Sequence, residues 1–366
     1  VSRALAVILS LAAGLIVGVL LVTFLSSGDE GPPESTESTG PAAGEVTRDA
    51  PQALPEGTFL TGFNLTAYTA AGYSGPQVEA DLKRLKELGS TAVVLVPTWY
   101  MARPDSTRIE PEPQKTPTDA SLRSAIDAAS ATGLEVVLKP HVDVLDDSFR
   151  GDIQPSDRAA WFSSYEKFVS HYADIAAESE AAVFSVGTEL KSLSTDTEPW
   201  KSVIASVRGR YAGELTYAAN WDEVFQVQFW DQLDMIGVDA YYPLSQEGEV
   251  PTADSLAAAW KPNVDGLEAL SRQWGVPVLL TEIGYPSQRG STAHPWEVRV
   301  GDPPDQDIQA LAYQAAYDAF EGRSWLRGIL WWSWRADPKP AEDMATEYTP
   351  EGKKAEDTFS RAAGSL

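Results

Sequence analysis

The sequence predicts an α/β protein, a (β/α)8 TIM barrel preceded by an N-terminal transmembrane helix and a disordered linker. Three observations carry this expectation. Eight short, continuous apolar runs alternate with helical stretches. Polar or aromatic residues close most of those runs. A long uncharged apolar segment opens the chain.

That segment is Ala4 to Leu25, ALAVILSLAAGLIVGVLLVTFL. At about 1.5 Å rise per residue it reaches about 33 Å, enough for a bilayer core of about 30 Å. Arg3 lies before it, and Asp29 and Glu30 lie after it. The positive-inside rule then predicts a cytoplasmic stub at residues 1–3, a signal anchor at 4–25 and everything later outside the cell membrane. A cleaved segment and a secreted product is the alternative. Residues 26–57 are rich in Ser, Thr, Gly, Pro and Glu, with almost no large apolar residue before Leu54. Such a stretch cannot bury enough surface to fold and is expected to act as a spacer. The folded domain is expected over residues 58–366.

The first three runs are Gly62–Thr66, Ala92–Pro97 (followed by Trp99 and Tyr100) and Glu135–His141. The next three are Ala182–Gly187, Leu215–Asn220 and Met235–Tyr241, and the last two are Pro277–Glu282 and Gly328–Trp334. Continuous rather than alternating apolar runs suit a parallel sheet covered on both faces. Between them, Val78, Leu82, Leu85 and Leu88 recur at helical spacing before Gly89, and Leu122, Ile126 and Ala129 do so before Gly133. Trp161–Ala177 and Ile308–Phe320 read as longer helices, and Pro350–Ala363 as a closing one. Eight strands with intervening helices match a barrel of about 250 residues.

Composition narrows the function. The 366 residues carry a formal net charge of -25, which disfavours nucleic acid and strongly acidic polysaccharides as partners. There is no cysteine, so no disulfide, thiolate site or Cys nucleophile exists. His141, His171 and His294 are the only histidines and suggest no metal set. The 12 Trp and 13 Tyr include core residues, yet as a group they suit a cleft that stacks sugar rings.

In a barrel of this kind the strand C-termini face the catalytic mouth. Here those ends carry Asn64, Trp99, His141, Glu189, Asn220, Tyr241, Glu282 and Trp334. Glu189 ends the fourth run and Glu282 the seventh, across the mouth from each other. Glycosidic cleavage needs one carboxylic acid to protonate the leaving oxygen and a second carboxylate to attack the anomeric carbon or activate water. The pair is the catalytic candidate. His141 and Asp143 either bind a sugar hydroxyl while orienting each other, or shape a loop. Trp221 either stacks a sugar face or wedges a loop. Strand alternation sends Trp332 and Trp334 the same way, opposite to Trp331, with one of the two flooring the site and the other in the core. Trp99 and Tyr100 are weaker candidates of the same type, and Asn64 lies low in the pocket or is structural. The long polar segment Ser287–Asp307 is either a cleft wall or a solvated excursion.

Several phrases together resemble glycoside hydrolase family 113, which contains endo-β-1,4-mannanases. They are Gly62-Phe63-Asn64, Lys139-Pro140-His141-Val142-Asp143, Ser185-Val186-Gly187-Thr188-Glu189-Leu190, Gly237-Val238-Asp239-Ala240-Tyr241-Tyr242-Pro243 and Thr281-Glu282-Ile283-Gly284-Tyr285. The resemblance covers about residues 58 to 363. It implies a retaining glycosidase with Glu282 as nucleophile, Glu189 as general acid/base and no cofactor. Tyr241 is then the expected donor to Glu282. Many members of the wider clan carry Asn before the acid/base, where this chain has Thr188, so another donor must serve the sugar's 2-hydroxyl. The resemblance alone points to mannan as substrate. Other β-linked glycans (glucan, xylan or envelope polysaccharide) and a non-catalytic carbohydrate-binding role are the alternatives. A monomeric catalytic domain is expected.

Overall fold

The computed structural model describes residues 54–55, 57–336 and 344–364. The expected anchor at 4–25 and most of the spacer lie outside the described residues. Among the described residues no helix is long and apolar enough to cross a membrane.

Eight parallel strands form a closed barrel: β1 (Leu60–Thr66), β2 (Ala92–Leu95), β4 (Glu135–Leu138), β6 (Val183–Thr188), β7 (Glu214–Asn220), β8 (Met235–Asp239), β9 (Val278–Glu282) and β10 (Leu326–Arg335). Each pairs with the next, and β10 returns to β1. Two further short strands, β3 (Thr98–Met101) and β5 (His141–Val144), pair only with each other. They continue β2 and β4 beyond Pro97 and Pro140, which bring no N–H to the ladder. Two of the expected strands are therefore split, and their outer halves build a separate ribbon at the mouth.

The helices are α1 (Pro76–Glu87), α2 (Asp119–Ala131), α3 (Arg158–Glu178), α4 (Thr197–Arg208), α5 (Ala253–Trp274), α6 (Gln306–Phe320) and α7 (Lys354–Ala363). Their starts follow capping chemistry. Thr118, Asp157 and Asp305 accept from the backbone N–H groups of Ser121, Ala160 and Ile308. Helix α5 opens on a reciprocal Thr252–Ser255 box and stops at Gly275, whose left-handed backbone (φ 72°) suits glycine.

The apolar side chains form two cores. Leu60, Val94, Val137, Val183, Met235, Leu279 and Leu330 fill the lumen. A larger set, including Phe63, Leu122, Trp161, Trp200, Trp260 and Trp331, lies between sheet and helices. Strand alternation extends the lumen face upward. Lys139 is two residues beyond Val137, Asp239 four beyond Met235, and Trp332 two beyond Leu330, so all three rise from the lumen core toward the mouth.

Two tryptophans depart from expectation. In the β1–β10 register Asn64 faces Trp332 and Leu65 faces Trp334, so Ser333 is skipped in a bulge. Alternation breaks there, and Trp334 does not share the direction of Trp332. It is fully buried edge-on to Phe63, 5.6 Å between ring centroids. The Trp332–Ser333 peptide is cis. Trp99 lies on the outward face of β3, its ring centroid 5.5 Å from those of Phe168 and His171 on α3. Tyr100, its neighbour, takes the inward face.

Gly237 of β8 lies where a Cβ would come within 2.5 Å of the Tyr217 carbonyl oxygen and 2.6 Å of the Thr216 hydroxyl. A backbone oxygen inside a closed barrel cannot step aside. Gly237→Ala is expected to lower unfolding stability by about 1–3 kcal/mol or more, read as a shifted midpoint in denaturant unfolding; an unchanged midpoint would mean that the barrel is less tightly packed than described.

Candidate active site

A cleft of about 890 Å³ opens at the strand C-termini. Glu189, Glu282, Asp143, Asn220, Trp221, Tyr241 and Trp332 all line it.

Glu282 ends β9 and is 3% exposed. Its Oε2 accepts from the Tyr241 hydroxyl at 2.6 Å. Its Oε1 meets the Lys139 ammonium, which is wholly buried. Lys139 is also 3.5 Å from Asp239, a second fully buried carboxyl, which accepts from the Thr281 hydroxyl at 2.7 Å. Burial, and then repulsion from Glu282, push the Asp239 carboxyl well above the usual carboxylate range, against the pull of Lys139. One buried cation thus serves two buried carboxyls.

Glu189 follows β6 with a left-handed backbone, φ 53°. That conformation is costly for a residue with a Cβ and recurs at functional sites. Hydrogen bonds on both sides hold it. The Glu189 N–H donates to the Ala218 carbonyl at 2.8 Å, and the Leu190 N–H donates to the Tyr217 oxygen at 3.0 Å. Tyr217 in turn donates to the buried Glu223 at 2.6 Å. The Glu189 carboxyl accepts from Arg150 at 2.9 Å and from the Asn220 amide at 3.3 Å. Its pKa is pushed up to about 7, first by burial and also by the negative charge of Glu282, with Arg150 pulling the other way.

The two glutamates therefore share a cleft but not an environment. Glu282 has an ammonium and a phenol against its two oxygens, an arrangement that serves a carboxylate. Glu189 keeps a proton near neutrality. A carboxyl raised toward neutrality beside one held by an ammonium and a phenol is equipment for acid/base chemistry at one bond.

His141 is buried behind Glu282, its Nε2 3.7 Å from Glu282 Oε1. Its ring stacks on Trp332 at 6.2 Å and 7°. Burial, then Arg150 and Lys139, push its pKa well below the ordinary histidine value, so it is neutral. Asp143 pairs with Arg150, whose Nε donates to it at 3.1 Å, and so orients the guanidinium. Asn64 is fully buried and donates to the Thr281 and Trp331 carbonyls at 3.0 and 3.3 Å. It braces β1 against β9 and β10 and does not line the cleft. Trp99 and Trp334 do not line it either.

Several cleft residues escaped the sequence reading. Arg150 sits in a single 3-10 turn (Arg150–Asp152), where no periodicity marks it. Tyr68, Lys115, Phe149, Trp296 and Tyr348 come from loops or from segments distant in sequence. Lys139 did leave a signal: a charge inside an apolar run, in step with the lumen residue Val137. Trp296 shows that the 287–307 segment does contribute a wall. Among the described residues no group of three His, Asp or Glu side chains could hold a metal ion.

Two carboxyls on a cleft walled by Trp and Tyr suit the acetals that join sugars, and the fold and site are those of a glycoside hydrolase. The family model of Glycoside Hydrolase Family 113 matches residues 62–353, and the chain belongs to that family. A solved GH113 β-1,4-mannanase complex superposes with a TM-score of 0.77 at 26% identity, covering 84% of this chain and 100% of that one. The GH113 β-mannanase of Alicyclobacillus acidocaldarius gives 0.76 at 29% identity, covering 84% and 96%. A GH5_18 protein of Bifidobacterium longum, at 17% identity and a TM-score of 0.59, shares the fold alone; the match covers 84% of this chain and 79% of that one. No curated protein sequence matches.

Arg150 lowers the proton affinity of Glu189, so its loss must raise it. In Arg150→Met the Glu189 carboxyl is expected to titrate higher than pH 7, by about one unit or more, in a carbon NMR titration with Glu189→Gln identifying the resonance. An unchanged or lower titration point would show that Arg150 does not act on this carboxyl.

Proposed function

We propose that the chain is a retaining endo-β-1,4-mannanase working by double displacement, with Glu189 as general acid/base and Glu282 as nucleophile. The observation that carries this reading is the opposed environment of the two carboxyls on one cleft. The solved relatives named as β-1,4-mannanases support mannan as the substrate. The formal charge of -25 agrees with a neutral glycan.

In the first step Glu189 gives its proton to the glycosidic oxygen while a Glu282 oxygen attacks the anomeric carbon. The bond to the leaving sugar breaks and a glycosyl ester forms. Glu189 is now a carboxylate, and the Arg150 guanidinium 2.9 Å away offsets the new charge. In the second step Glu189 takes a proton from water, the hydroxyl adds to the anomeric carbon, and Glu282 leaves as a carboxylate. Lys139 and Tyr241 favour that departure, because both bind the negative carboxylate more strongly than the ester. Two inversions give net retention.

The working form of Glu189 is protonated, and its pKa of about 7 places the fall in kcat/KM as pH rises through that value. Glu189→Gln and Glu282→Gln are each expected to lower kcat on mannohexaose by about a thousandfold or more while leaving thermal unfolding intact. Proton NMR of the first products should show the β-anomer. The α-anomer would contradict retention, and cleavage of a β-glucan but not of mannohexaose would replace the substrate. Lys139→Met should cut turnover by at least about tenfold, with partial recovery in Lys139→Arg; full activity in the Met variant would remove Lys139 from the account.

We also propose that Ala4–Leu25 anchors the enzyme and that the acidic spacer holds the barrel outside the membrane. The support is the length of the apolar run and Arg3 on its near side. The full chain should remain in membranes through alkaline carbonate washing and be released by detergent. Release by carbonate alone would refute the anchor.

A further inference from the structure

Lys353 is a buried cation that the chemistry above does not use. It is 7% exposed and stands just before α7, where the positive end of the helix dipole disfavours an ammonium. Burial pushes its pKa down to about 8, against the pull of the Glu347 and Glu351 carboxylates. Its bonds show what it holds.

The Lys353 Nζ donates to the Ser287 hydroxyl at 2.8 Å and to the Glu347 carbonyl at 3.0 Å. The Ser287 N–H reaches the same carbonyl at 3.2 Å, and the Ser287 hydroxyl donates to the Ala345 carbonyl at 2.8 Å. The lysine thus ties the segment after β9 to residues 345–349, which form neither helix nor strand. With no ladder of their own, these residues depend on such bonds for their position. Gln309 of α6 adds one more, to the Tyr348 carbonyl at 2.8 Å. Removal of the ammonium would leave no polar group orphaned, because the Glu347 carbonyl keeps the Ser287 N–H and the Ser287 hydroxyl keeps the Ala345 carbonyl. The cation is therefore an addition to a segment whose polar groups are already satisfied.

What the segment carries is Tyr348. Its ring lines the cleft and stands edge-on to Tyr241, 6.3 Å between centroids and 76° between planes. Tyr241 is the donor to Glu282. Gly284, two residues after Glu282, makes room for the Tyr348 ring: a Cβ there would come within 2.9 Å of Tyr348 Cδ1 and of the Trp332 carbonyl oxygen. The Tyr348 hydroxyl donates to the Pro295 carbonyl at 2.8 Å. A continuous path of contacts thus runs from Lys353 through Glu347, Tyr348 and Tyr241 to Glu282.

We propose that Lys353 is a positioning residue for the reaction: through residues 345–348 it fixes Tyr348 against Tyr241, and thereby the phenol that holds Glu282. This rests on the assignment of Glu282 as the nucleophile.

Single-turnover fluoride release from β-mannobiosyl fluoride reads the attack of Glu282, because fluoride leaves as the ester forms. Lys353→Met should slow it about threefold to tenfold, and Lys353→Arg, which keeps a cation and its donors, by less. Tyr348→Ala should slow it further. Lys353→Met added to Tyr348→Ala should then change the rate by less than about twofold, because the lysine acts through the ring. Thermal unfolding of Lys353→Met at pH 7 should occur at or above the wild-type temperature, since a buried ammonium costs stability below its lowered pKa. A full rate in the Met variant, equal losses in both backgrounds, or a melting temperature that falls with the rate would overturn the proposal. Hydrogen exchange of the Ser287 amide needs no substrate and should speed up in Lys353→Met; unchanged exchange would also overturn it. A wild-type enzyme inert to the fluoride would instead overturn the mannanase reading, with the exchange still deciding whether Lys353 holds the segment.

Discussion

Two cations, Lys139 and Arg150, each hold two carboxyl groups at the mouth of this barrel. Asp143 and Glu189 pair with Arg150, and Asp239 and Glu282 with Lys139. Burying unpaired charge is costly. Asp239 and Glu189 are the two groups pushed upward, both first by burial. Lys139 lies against Glu282, and Arg150 against Asp143.

The scaffold keeps this balance in register. Lys139, Asp239 and Trp332 extend the same strand faces that fill the lumen with Val137, Met235 and Leu330. Their side chains therefore inherit the rigidity of a packed core. Glu189 is held differently, on a left-handed residue fixed by β7 and by the Tyr217–Glu223 pair. Burial pushes Glu223 up to about 8, so this support stays protonated through the neutral range and adds no charge to the site.

The barrel was legible because its strands are continuous apolar runs and its helices carry ordinary caps and stops. Glu189, Glu282 and Tyr241 were legible because polar residues at strand ends stand out against such runs. What could not be read was anything that depends on local departures from regularity. Pro97 and Pro140 split two strands and turned Tyr100, rather than Trp99, to the cleft. The bulge at Ser333 reversed the expected direction of Trp334. Arg150 and Trp296 sit in turns and loops, where spacing says nothing about direction. Asp143 pairs with Arg150 and not with His141, a choice decided by a residue that the sequence offered no reason to single out.

The central claim is that Glu282, held by Lys139 and Tyr241, attacks the sugar while Glu189 carries the proton. A 2-deoxy-2-fluoro-mannoside with a good leaving group slows the second step and traps the ester, and peptide mass mapping then finds the modified residue. The account predicts one sugar on Glu282. A sugar on Glu189 or Asp239 would contradict it.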